Sequence, residues 1–156
     1  MALPAGMSAC AYCVTMKFGT VTTWIDVSDE VSVLDPGESA KPTSEFYVFG
    51  ETDSGGLVGK NGPMDITVRG IWTDSTAGHW YSVWSEHTTA CGGFCQIRWA
   101  PAGCTTAHLA FTTHSTMSRV ASFTYPGGDA ASADALVWEA MIHTPAVTIA
   151  AYATTA

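Results

Sequence analysis

Five cysteines and five histidines are the residues in this chain best suited to chemistry. Cys10-x-x-Cys13 has the spacing of a metal or redox pair, Cys91-x-x-x-Cys95 is a looser pair, and Cys104 stands apart. Four thiolates suit a closed tetrahedral zinc site, and Cys10, Cys13, Cys91 and Cys95 are the set that could supply them. A thioredoxin-like reading of the first pair needs a βαβ setting, which the surrounding pattern lacks. The expectation is that the thiols are small buried apolar groups, with no metal on which the fold depends and no cofactor. An oxidising particle exterior would allow a bridge. His79 and His87 are two turns apart on a candidate helix and could approach Cys91 as a second metal arrangement. His108, His114 and His143 complete the histidines. Neither H-E-x-x-H nor G-x-S-x-G occurs.

The segment Ser54, Gly55, Gly56, Leu57, Val58, Gly59, Lys60, Asn61 superficially resembles a phosphate loop. It is one residue short between its glycines, has no Ser or Thr after Lys60, and joins two strand-like stretches instead of opening a helix. Asp29-Glu30 and the loop acids Asp53 and Asp65 have no spacing that identifies a general acid and base. No catalytic residue is assigned, and the chain is not expected to be an enzyme.

The elements that would have to position any site are mostly strands. Threonines are spread along the whole chain and favour strands over helices. Ala11 to Val27 alternates, with Tyr12, Val14, Met16 and Phe18 in one phase and a break at Gly19. Asp29 to Leu34 is a short strand candidate, and Asp35 to Pro42 is a loop by composition. Ser44 to Glu51 and Met64 to Thr73 read as strands. Thr52 to Pro63 between them is long for a hairpin connection, where about 2–5 residues is usual. Its four glycines suit an intersubunit arm that orders on contact. Trp80, Val83, Trp84 and His87 follow helical spacing, so a helix is expected over Ala77 to Thr89, capped by Ser75 or Thr76 and packed by that face on a sheet. Phe94 to Ala100, Leu109 to Thr113 and Arg119 to Tyr125 are further strands. Pro126, Gly127 and Gly128 should stop the last of these. Leu136 to Thr144 resumes a strand, with Leu136, Trp138, Ala140 and Ile142 on one face and Val137, Glu139, Met141 and His143 on the other. Pro145 to Ala156 begins as a possible strand and frays into a small-residue tail.

The chain has 156 residues, enough for one domain with a self-sufficient core. Residues 1–9 read as a flexible arm. Only 13% of residues are charged, about half the usual share of roughly 25%. That leaves surface for burial in an assembly. The net charge is −8 with six Lys and Arg, so there is no basic footprint for nucleic acid. The N-terminus lacks the basic and apolar regions of a signal peptide, and no run is long enough for a membrane helix, which points to the cytoplasm. The fold expected is α+β and mainly β, with two packed antiparallel sheets or a flattened β-barrel and one flanking α-helix.

Two stretches carry a resemblance. The string SFTYPGGDAASADALVWEAMIHTPAVT is similar to the C-terminal signature of the major tail tube proteins of long-tailed bacteriophages. Met64 to Gly103, ending in IRWAPAG, fits the same family in its order of strand, short amphipathic helix and strand. The first 40 residues match nothing. The resemblance implies the tail-tube fold, shared with the ring-forming protein of type VI secretion. It implies a late structural protein of the virion tail, made in the host cytoplasm. Hexameric rings would stack head to tail, with tail terminator and tail tip proteins as partners. Genome DNA would pass through the lumen during ejection without specific binding. Such a lumen should carry more acids than Lys or Arg, and Glu139 is the candidate for it.

Two other classes remain open. Six tryptophans in a β-rich chain could mark a β-sandwich carbohydrate-binding module, although at least four of them read as buried core. The cysteines could mark a small zinc-stabilised domain.

Overall fold

The computed structural model describes residues 12–46, 55–127 and 134–153. Residues 1–9, expected as an arm, lie outside them, and so do Cys10 and Ser54. Among the described residues eleven strands and one helix run in the order β1 (Cys13–Phe18), β2 (Ile25–Asp26), β3 (Val31–Asp35), β4 (Thr43–Phe46), β5 (Gly55–Val58), β6 (Met64–Ile71), α1 (His79–Thr88), β7 (Cys95–Ala100), β8 (Leu109–Thr113), β9 (Arg119–Gly127), β10 (Val137–Thr144) and β11 (Val147–Ala151). They form a five-stranded sheet in the order β11-β8-β7-β1-β2, a four-stranded sheet β3-β6-β10-β9, and a separate pair β4-β5. Every pairing is antiparallel. The sheets pack face to face and do not close, so the packed-sheet form of the expected fold is present and the barrel form is not.

Alternation explains the packing. In β10 the inward residues Trp138, Ala140, Ile142 and Thr144 are buried, opposite Ile66 and Val68 of β6. In β1 the inward residues are Val14, Met16 and Phe18, joined by Ile97 and Trp99 of β7. β7 is buried at every position because both of its faces are covered. Trp138 stacks on Phe123 at 6.1 Å and lies over Gly70, its cross-strand partner. A Cβ on Gly70 would stand 2.6 Å from the indole, so only glycine fits there. Trp99 and Trp138 are the fully buried tryptophans, while Trp24, Trp72, Trp80 and Trp84 are only partly buried, fewer in the core than expected.

Three boundaries differ from the sequence reading. β9 runs through Pro126 to Gly127, because it is an edge strand and an edge tolerates a residue with no N–H to donate. The helix begins at His79, and neither Ser75 nor Thr76 caps it. Glu30, distant in sequence, accepts a hydrogen bond from the His79 N–H at 2.9 Å, placing a carboxylate at the positive helix end. The C-terminal segment does not simply fray: β11 pairs with β8, and Tyr152 beyond it is buried. On the helix, Val83 is fully buried, whereas Trp80 and Trp84 are partly buried at the margin of the core. No helix among the described residues is long and apolar enough to cross a membrane.

Candidate assembly surfaces

The stretch expected to be one long loop contains a strand. Leu57 and Val58, its strand-forming residues, place Gly55–Val58 against Thr43–Phe46, in the register Thr43↔Val58 to Phe46↔Gly55. The stem continues below the strands, where the N–H of Gly59 bonds the Pro42 carbonyl and that of Gly62 bonds the Ala40 carbonyl. Only residues 59–63 are left as connection to β6. β4 and β5 join neither large sheet. Leu57 and Val58 are 58% and 65% exposed, and Gly59, Lys60 and Asn61 line the open stem. A two-stranded hairpin is at best marginally stable alone in water, so this one gains most from a partner surface.

At the base of the hairpin lies a largely apolar groove of ≈ 600 Å³. Tyr12, Met64, Trp99, Phe111, Val147 and Ile149 provide its apolar walls. Trp99 and Phe111 stack there at 5.5 Å. At the opposite end of β6 and β10, partly buried aromatic rings gather. Trp72, Trp80, Tyr81 and Trp84 follow one another at 6.0, 5.6 and 5.3 Å between centroids, and the Trp84 indole N–H donates to the Tyr125 hydroxyl at 3.2 Å. Their planes are tilted or perpendicular, so they make no flat platform for stacking sugar rings.

The outer face of the four-stranded sheet carries paired charges among exposed apolar residues such as Val33, Ile71 and Val137. Arg69 and Glu139 face each other across β6 and β10, and His143 and Asp65 do the same four positions on, with Nδ1 at 2.7 Å from the carboxylate. Glu139 is therefore an acid paired with a cation and not the bare exposed carboxylate suggested by alternation. Asp35 of β3 shares this face through its register with Thr67. Arg119 instead bonds the carbonyls of Thr116 and Ser118 and lies by the Phe94 ring.

The cysteines separate. Cys13 is bonded to Cys104, with Cα atoms 5.6 Å apart, which corrects the four-thiolate set and, for these two cysteines, the expectation of free buried thiols. Cys91 is exposed just past the helix and Cys95 is fully buried. Burial, aided by the charge of Glu86, pushes the Cys95 thiol far above its usual range. His79 sits beside Asp29 and His87 against Phe123, so these two histidines do not meet Cys91 in a site. Among the described residues no three His, Cys, Asp or Glu side chains gather where a metal could bind.

One cluster was not anticipated. Arg98, between Ile97 and Trp99 on β7, is only 6% exposed. Its guanidinium lies between the rings of Trp24 and Tyr152, at 4.4 and 4.1 Å from their centroids. The phase of Ile97 and Trp99 shows that Arg98 points away from the core, but not that distant segments cover that face.

Neither a known protein-family profile nor a curated protein sequence matches the chain. Solved structures do. The sheath/tube terminator of an extracellular contractile injection system, PVC, superposes with a TM-score of 0.71 at 17% identity, covering 96% of this chain and 100% of that one. The tube-terminating cap of the anti-feeding prophage gives 0.68 at 15% identity, covering 97% and 95%. This chain has the tail-tube fold. The SPP1 tail tube also shares it, at a TM-score of 0.56 and 11% identity over 94% of this chain and 80% of that one. The tail-tube fold thus spans both large sheets and the helix, including residues 12–40, where the sequence resemblance was silent.

Proposed function

We propose that the protein is a structural component of a phage or phage-like tail. Copies self-assemble into hexameric rings, and the rings stack head to tail into a tube through which the genome or cargo passes. The tail-tube fold, present over nearly the whole length of the chain, carries this reading. The hairpin is the intersubunit arm, and the partners beyond the chain itself are tail terminator and tail tip proteins.

The charge-bearing outer face of the four-stranded sheet is our choice for the lumen wall. It presents Asp35, Asp65 and Glu139 against Arg69, which is held by Glu139, and Arg119 of β9, which is in register with His143 and is held by the Thr116 and Ser118 carbonyls. A ring multiplies the chain's −8, and such a wall repels polyanionic DNA instead of binding it. The test is deletion of Ser54 to Asn61. A folded monomer that no longer polymerises supports the reading, and normal tubes from the deletion contradict it.

A further inference from the structure

The Cys13–Cys104 bridge joins the start of β1 to the β7–β8 connection across 91 residues of sequence. Cys104 packs with Ala100, Ala110 and Tyr152 in a small cluster on the outer side of the five-stranded sheet. The same cluster seats the end of the described chain. The Tyr152 N–H donates to the His108 carbonyl at 2.8 Å. Arg98 holds the segment from the other side, donating through Nη1 to the Ala153 carbonyl at 2.9 Å, through Nη2 to the Tyr152 hydroxyl at 3.0 Å and through Nε to Thr15 Oγ1 at 3.2 Å. The partners of this buried cation are thus neutral oxygens and two aromatic faces, which depend on Tyr152 staying in place.

We propose that residues 152–153 form a redox-controlled strap, locked over the sheet when Cys13 and Cys104 are bridged and loosened when they are thiols. The bridge fixes the 101–108 connection, the connection supplies the His108 carbonyl, and that carbonyl holds Tyr152. Exposure sets the order of chemistry. Cys13 is 7% exposed, whereas Cys104 is only partly buried in a surface connection. The Cys104 thiolate attacks a sulfur of a small-molecule disulfide and displaces one thiolate. The Cys13 thiolate then attacks the Cys104 sulfur and displaces the second. Two protein thiols are oxidised, one external disulfide is reduced to two thiols, and the protein's protons pass to them. A reducing cytosol holds the open form and an oxidising exterior closes it. This device is separate from the proposed tube assembly.

The test compares the full chain after equilibration with glutathione disulfide or with dithiothreitol. Peptide mapping without reduction should show Cys13 joined to Cys104 in the first sample only. Hydrogen exchange at the Tyr152 amide and through 101–108 should quicken by about tenfold or more on reduction, while Ile97 in the core stays protected. Cys104→Ser should exchange like the reduced protein under both conditions. If that variant does not fold, the wild-type comparison decides alone. A bridge involving Cys10, Cys91 or Cys95 instead, or equal Tyr152 exchange in both samples, overturns the proposal.

Discussion

Arg69 and Glu139 stand directly opposite each other on neighbouring strands, and two guanidinium N–H groups converge on one carboxylate oxygen. Both side chains are substantially exposed, so the pair contributes little to stability. Glu139→Gln should cost less than about 1 kcal/mol in urea unfolding. Its larger effect should be on the wall, where Arg69 becomes an unpaired cation. In assembled tubes the variant should retain added DNA more strongly at low salt than wild type does. Equal retention would mean that this face does not line the lumen.

Gly70 is the floor on which the Trp138 indole lies. A methyl group there has no room, and the indole is pinned from its other side by Phe123. Gly70→Ala should therefore destabilise by about 1–3 kcal/mol through overpacking. Near-UV circular dichroism should change with it, because Trp138 must move. A shift below about 0.5 kcal/mol, with an unchanged spectrum, would contradict this placement.

The helix is anchored by Val83 more than by its tryptophans. Val83→Ala should cost about 2 kcal/mol. Trp84→Ala should fall below the roughly 3–5 kcal/mol of a fully buried ring, since Trp84 keeps a solvent-facing edge and bonds Tyr125. A Trp84→Ala loss of about 3–5 kcal/mol, measured by equilibrium unfolding, would place Trp84 in the core.

Burial raises the Glu86 carboxyl above its ordinary range, and the charge of Arg119 pulls it partly back. The folded protein then keeps a proton at pH values where the unfolded chain has lost it. Stability attributable to this group is full below the ordinary carboxylate value, falls as pH rises through the folded value, and is level above it. Glu86→Gln should remove that slope, matching wild type near pH 4 and exceeding it toward about pH 7. Melting curves across this range check it. A variant less stable than wild type at neutral pH would show that the ionised carboxylate is favoured.

Much of this architecture was legible in local pattern. The period-two alternation of Trp138, Ala140 and Ile142 gave β10 its inward face, and the spacing around Val83 gave the helix. What local pattern missed depends on distant chain. Pro126 ends a central strand but not an edge strand, and edge status belongs to the whole sheet. Gly55 and Gly56 read as loop, yet pairing with Thr43–Phe46 makes them strand. Trp24 and Tyr152 cover Arg98 from segments far away in sequence. Cys104 had no sequence neighbour to mark it as the partner of Cys13. Of the candidate surfaces, the 52–63 stretch was visible through its length and glycines, while the groove assembled from Tyr12, Trp99 and Phe111 was not.

Electron microscopy of the purified full chain tests the central claim most directly. Class averages should show rings of six copies around an open centre, stacking into tubes as concentration rises. Particles that remain monomeric at every concentration, or closed oligomers without a central channel, would contradict the account.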